Sequence, residues 1–410
     1  MSNHTALSRP GIFYGWFVVA AAFTVMFIGF GTAYTFSAFI EPLQKDFAAS
    51  RGSVSLVFSL AGFVYFGLGI VSGPLSERWG ARSLAMTGMI LLGIGVALAG
   101  AARNLTEVYI AYGLGVGLGI GFSYVPVLGA VQRWFARQRG FASGLAVSGI
   151  GLGTLVMPPL ASLLIEMFGW RGAYLILGGL AALIGGAMAT MIEDDPRNRD
   201  LRPDGDPLQA DGSSAASTGV PVREAIRTRR FVGLYVACLL SAFGVFVPFV
   251  HLVPYAQDQG VPPSLAITLL GVIGVGSTAG RFLLGGMADR LGRRRSLLVM
   301  IAGMALTTTI WLLSTTFWSL AAFAFTYGIF YGGWVALLPA LVTDYFGERN
   351  VSSIIGILYT SVAFGTLIGP SAAGYAFDMS QSYTLPILMS MAGNVIAVGI
   401  AAATSTQRGI

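Results

Sequence analysis

Apolar runs of roughly twenty residues, each closed by a short cluster of charge, glycine or proline, recur along the whole sequence. Wound as a helix at about 1.5 Å per residue, such a run crosses the ~30 Å hydrocarbon core of a bilayer. The pattern predicts spans near Gly15–Ile40, Val54–Leu75, Ser83–Ala102, Val108–Val131, Gly140–Ile165 and Ala173–Ile192. It predicts six more near Phe231–Tyr255, Leu265–Ala288, Ser296–Ser314, Trp318–Val342, Val351–Phe377 and Tyr383–Ala403. Barrel strands are about half as long and alternate in polarity, so these runs specify helices. The expected fold class is an all-α membrane protein of twelve transmembrane helices.

Composition sharpens this picture. Of 410 residues, 55% are hydrophobic and 10% charged, too little charge to cover a soluble globule of that apolar content. The first apolar stretch follows a single basic residue, Arg9, and continues past Thr24 without a small-residue cleavage pattern, so it reads as an uncleaved first span. The one cysteine, Cys238, lies inside a span, which excludes an internal disulfide and a cysteine metal cluster. No metal or cofactor is expected.

A net charge of +6 could suggest a nucleic-acid partner, but its arginines sit in the short connections between spans. Of 24 Lys and Arg, nineteen fall on one side of a twelve-span layout, four (Lys45, Arg51, Arg103 and Arg171) on the other, and Arg281 within a span. That is a topology signal and no sign of nucleic acid. It places both termini in the cytoplasm and the chain across the plasma (inner) membrane, with the lipid bilayer as its surroundings.

The long connection of residues 193–230 is rich in Asp, Pro, Gly, Ser and Arg and contains the low-complexity DGSSAASTG of residues 211–219. It reads as a flexible cytoplasmic linker between a bundle at 1–192 and a second at 231–410. The two halves repeat. The connection after the second span reads GPLSERWGAR from Gly73, and that after the eighth reads GGMADRLGRR from Gly285, 212 positions on. Trp134-Phe135 after the fourth span returns as Tyr345-Phe346 after the tenth, 211 positions on. Two landmarks at one offset mark parallel copies.

The twice-repeated Gly-x-x-x-(Asp/Glu)-Arg-x-Gly-x-Arg resembles the signature of the major facilitator superfamily. The resemblance implies two pseudo-symmetric six-helix bundles that alternate access to a central site. It also implies that Glu77, Arg78 and Arg82 in one half, and Asp289, Arg290 and Arg294 in the other, latch cytoplasmic helix ends while the carrier is open outward. A carboxylate facing an arginine or a helix N-terminus is a breakable contact of the kind a gate needs.

Within that superfamily the chain resembles the monocarboxylate transporters and their bacterial oxalate–formate exchanger relatives. Tyr14-Gly15-Trp16 entering the first span, WFARQRGFASG from Trp134, and an arginine in the eighth span carry this resemblance. It implies that Arg281 binds a substrate carboxylate. The residues argue the same way: a guanidinium within a span costs about 2.5–3.5 kcal/mol on insertion scales, and its planar fork fits a carboxylate. Snorkelling is a poor escape, since about eight residues, or roughly 12 Å, separate Arg281 from the helix end.

The related exchangers carry a lysine in the eleventh helix, and this chain's eleventh span has no charge, so one buried cation favours a monocarboxylate. The animal relatives carry a lysine in the first helix and an aspartate beside the arginine. Both are missing here, where Ser277 and Gly285 flank Arg281. Proton coupling must therefore rest elsewhere. The candidates are His251, the one histidine inside a span, and Asp258, seven residues on along the same helical face. Tyr327 and Tyr331, spaced i,i+4, and Tyr34, Tyr124 and Tyr359 are candidate hydroxyl donors to the substrate.

These residues point to a secondary transporter of small monocarboxylates of the lactate or pyruvate class, coupled to protons and working as a monomer. The alternatives are anion exchange of the oxalate–formate kind and a non-transporting membrane sensor. No paired-carboxylate, metal or Ser/His/Asp constellation speaks for an enzyme.

Overall fold

Eleven continuous helices among the described residues are long and apolar enough to cross a membrane. The structure is a computed structural model that describes residues 13–135, 139–199, 201–205, 219–347 and 350–404. For residues 77, 139, 140, 285–287, 289, 290, 351 and 352 it describes the backbone alone. The helices are α1 (Gly15–Phe47), α2 (Arg51–Ser76), α3 (Ala81–Gly100) and α4 (Leu105–Trp134), then the 49-residue Phe141–Ala189. This last helix is broken at Gly169, which sits at φ +69°. A left-handed residue cannot continue a right-handed helix, so the break divides the rod into α5 (residues 141–168) and α6 (residues 170–189). The remaining helices are α7 (Arg229–Asp258), α8 (Pro263–Leu284), α9 (Arg293–Leu313), α10 (Phe317–Phe346), α11 (Ser353–Ser380) and α12 (Thr384–Thr404). Twelve spans result, as the hydropathy pattern predicts.

The repeated connection has a local cause. Gly80 (φ +79°) and Gly292 (φ +86°) stand at the same place in the two copies of the motif, and each ends one helix and opens the next. Only glycine adopts that conformation without strain, so the motif's second glycine fixes two tight helix–helix corners.

Helices α1 to α6 pack among themselves, as do α7 to α12, and the two sets meet mainly through α2 on α11 and α5 on α8. The bundle has two ends, the linker end, which carries residues 193–199 and 219–230, and the far end opposite it.

Candidate functional site

Arg281, on α8, is 5% exposed. A Cβ on Gly280 would lie 2.0 Å from Ile329 O, and one on Gly332 2.0 Å from Ser277 O, so glycine alone allows α8 and α10 to approach this closely. The approach brings Arg281 and Tyr331 into one central cavity. Phe30, Tyr34, Tyr124, Trp334 and Tyr359 line it with them, and no acidic residue does among the described ones.

The guanidinium is half satisfied. Its Nη1 donates to Val147 O on α5 at 2.6 Å. Its Nε and Nη2 are buried and meet no acceptor among the described residues. These two N–H groups form one edge of the planar fork, the edge that a carboxylate takes with two parallel hydrogen bonds. A buried donor left unpaired costs about 1–3 kcal/mol, more when charged, so an anion arriving at this edge recovers that cost.

Four of the five tyrosines that the sequence nominates line this cavity. The Tyr34 and Tyr331 hydroxyls lie 3.3 Å apart and join α1 of one half to α10 of the other. Tyr124 and Tyr359 stack from α4 and α11 with ring centroids 6.5 Å apart. Tyr327 departs from the expectation: its hydroxyl donates to Val245 O on α7 at 2.8 Å, outside the cavity lining. Sequence reasoning missed Trp334, whose indole N–H is buried without an acceptor among the described residues. Its position three residues after Tyr331, on the same helical face, is the signal that could have found it.

The two proton candidates fall into one hydrogen-bonded chain at the far end. His251 is fully buried, with Nε2 2.7 Å from Pro370 O and Nδ1 3.0 Å from Tyr383 Oη. A carbonyl only accepts, so Nε2 carries a hydrogen, and in the neutral ring Nδ1 accepts from the Tyr383 hydroxyl. A phenol ordinarily titrates near about pH 10, so Tyr383 has that hydrogen to give. Arg51 Nη1 donates to Tyr383 Oη at 3.0 Å and to Asp258 Oδ2 at 2.7 Å. Arg51 also stacks over the Phe377 ring at 4.1 Å, and the backbone N–H groups of Arg51 and Gly52 donate to Asp378 at 3.1 and 2.8 Å. Asp378, at the end of α11, thus caps the start of α2 from the opposite half. Arg51, Asp378 and Tyr383 are not among the candidates that the sequence nominates, since their partners lie 132 to 332 residues away along the chain.

At the linker end two of the motif arginines, Arg82 and Arg294, bond within their own halves or the adjoining linker. Arg82 donates to Glu193 Oε2 at 2.7 Å and to Ile192 O at 2.8 Å, and Arg294 donates to Ala402 O at 3.1 Å. Arg78 is exposed. Glu77, Asp289 and Arg290 lie on described backbone, and their side chains fall outside the described residues. Among the described residues, Arg51–Asp258 is the ion pair that joins the two halves; Arg82–Glu193, Arg133–Asp194 and Arg293–Asp344 each stay within a half or its adjoining linker.

Comparison with known proteins agrees with this architecture. The family model described as Major Facilitator Superfamily matches residues 21–370 and again 234–406. Monocarboxylate transporter 12 of Rattus norvegicus is 30% identical over 93% of this chain and 83% of its own length. Monocarboxylate transporter 11 of Mus musculus is 30% identical over 94% of this chain and 87% of its own. Monocarboxylate transporter 3 of Mus musculus is 32% identical over 96% of this chain and 80% of its own. Similarity of that extent leaves no helix unaccounted for, and the chain belongs to the major facilitator superfamily as a multi-pass membrane transporter, not an enzyme.

Proposed function

We propose that the chain carries a small monocarboxylate, of the lactate or pyruvate class, across the plasma (inner) membrane together with a proton, by alternating access. The observation that carries the reading is the unpaired Nε and Nη2 of Arg281, a residue lining a cavity in which no described acid competes for it. One buried cation balances one carboxylate, and the aromatic walls suit an apolar chain on the acid. The names of the relatives, monocarboxylate transporters, support the same class of cargo.

With the arginine-rich linker end in the cytoplasm, both termini are cytoplasmic and the far end faces out. The polar ties across the far end then describe a carrier closed to the outside. In this arrangement the motif residues Glu77, Arg78, Arg82, Asp289, Arg290 and Arg294 serve the opposite, outward-open state. A monomer holds the whole cavity, so no second copy is needed for transport.

His251 is the proposed proton site and Asp258 its partner through Arg51 and Tyr383. A proton on Nδ1 turns that atom from acceptor into donor. Tyr383 Oη would then face two donors, His251 and Arg51, and its own hydroxyl hydrogen would lose its acceptor. Protonation and far-end closure therefore oppose one another, which links proton uptake to the outward-open state.

Anion exchange is the second reading, and the absence of an acid beside Arg281 among the described cavity residues favours it. Uptake of labelled lactate into proteoliposomes separates the two. Accumulation driven by an inward proton gradient supports symport; uptake that needs an internal anion and ignores the gradient supports exchange and overturns the first reading.

A further inference from the structure

The internal repeat places a carboxylate at one site and, among the described residues, none lining its twin. In the first half the ends of α3, α4 and α6 converge on Glu193. Its carboxylate accepts from Arg82 Nη2 at 2.7 Å, and its backbone carbonyl accepts from Trp134 Nε1 at 2.7 Å. In the second half Arg294 stands where Arg82 does and Tyr345 where Trp134 does. Arg294 reaches the carbonyl of Ala402, at 3.1 Å, and its Nε is buried without an acceptor among the described residues. The sequence has no acidic residue after Asp378, so α12 ends without the counterpart of Glu193. Asp344, the acid beside Tyr345 in sequence, is held by Arg293.

What remains is a partly open pocket between the linker ends of α7, α9, α10 and α12. Arg230 and Arg294 enter it from two helices, with the Arg230 guanidinium 5.8 Å from the Tyr345 ring. Leu234, Leu297 and Leu341 form its apolar wall, and no acid lines it among the described residues.

We propose that this cavity binds a phosphate-bearing anion, specifically the headgroup of an anionic phospholipid. Two guanidinium groups supply donors that match phosphate oxygens, and one of them has a buried N–H to satisfy. The leucine wall favours a lipid over free phosphate, because acyl chain leaving the headgroup continues along an apolar face. The position fits as well, at the arginine-rich end of the helices where anionic headgroups gather. In the first half Glu193 fills the equivalent place from within the chain, so only one half recruits a ligand.

The test uses the full-length protein in detergent, with native mass spectrometry after addition of phosphatidylglycerol or phosphatidylcholine. Wild type is expected to retain phosphatidylglycerol preferentially, by roughly fivefold for each arginine that contributes. Arg230→Gln with Arg294→Gln should bring the two lipids to parity. Thr404→Glu supplies the missing carboxylate on the cavity wall while leaving both arginines in place. That variant should also lose the preference, with its melting temperature held or raised. Equal phosphatidylglycerol retention by wild type and both variants would overturn the proposal. If millimolar inorganic phosphate raises the melting temperature of delipidated wild type but not of Thr404→Glu, and phosphatidylglycerol is not retained, the lipid assignment fails in favour of free phosphate.

Discussion

Arg51 and Asp258 meet at 2.7 Å across the divide between the two halves, at the end of the bundle opposite the linker. The pair does not act alone: the same guanidinium holds Tyr383, and the backbone of the same residue is capped by Asp378. Asp258 is about a third exposed, so the ion pair by itself contributes no more than about 1 kcal/mol. A latch of that strength suits a gate, which must open within each transport cycle.

Neutralising the pair should therefore shift a population without unfolding the protein. Asp258→Asn is expected to increase labelling of a cavity cysteine by an impermeant reagent from outside by roughly two- to fivefold. Unchanged labelling would show that Asp258 takes no part in closure.

Arg281 should act on transport itself. Removing one partner of a buried charge-assisted pair costs about 2 kcal/mol or more, so Arg281→Ala should lower kcat/KM for lactate by at least about thirtyfold. Arg281→Lys should recover little, because a point charge does not reproduce the two-donor edge that the chain leaves unpaired. Near-normal uptake by folded Arg281→Ala protein, measured in proteoliposomes, would remove the residue from the binding site.

Tyr327 and Tyr331 give a paired prediction, since the two rings are parallel with centroids 6.5 Å apart and yet serve different neighbours. Tyr331→Phe should raise the KM for lactate several-fold while leaving the melting temperature close to wild type. Tyr327→Phe should leave KM unchanged and cost about 1 kcal/mol of stability, the worth of its buried bond to Val245 O. Matching KM effects from the two variants would contradict the cavity boundary drawn between them.

The fold was legible because a bilayer permits few solutions. Long apolar runs must be helices, and the Gly80 and Gly292 corners announce themselves as one motif written twice. Arg281 was legible for the opposite reason, as a residue that composition alone makes anomalous. The tyrosines were harder to sort. Residues four apart on a helix share a face but differ by about 6 Å along its axis, enough to move Tyr327 from the cavity to the α7 backbone. The far-end network could not be read, because Arg51 looks like an ordinary topology arginine until α11 and α7 of the other half fold against it. Nor does a local pattern around His251 name Tyr383, which lies 132 residues away.

On the proposed reading, His251 joins that network to pH. Its Nε2 faces a carbonyl and its Nδ1 faces the Tyr383 hydroxyl, a pair of contacts that the neutral ring satisfies in full. The charged groups around it are Arg51 through Tyr383, Asp258 through Arg51, and Asp378 at the start of α2. Adding a proton reverses the Tyr383 contact, so acid should favour the outward-open form and base the closed one. Wild-type labelling of a cavity cysteine from outside should rise as pH falls. His251→Gln keeps a donor for Pro370 O and an acceptor for Tyr383 but cannot take up the proton, so its labelling should stay low and flat. By linkage, lactate affinity in wild type should change with pH and in His251→Gln should not. A variant that retains the wild-type pH profile in both measurements would place the proton on another group.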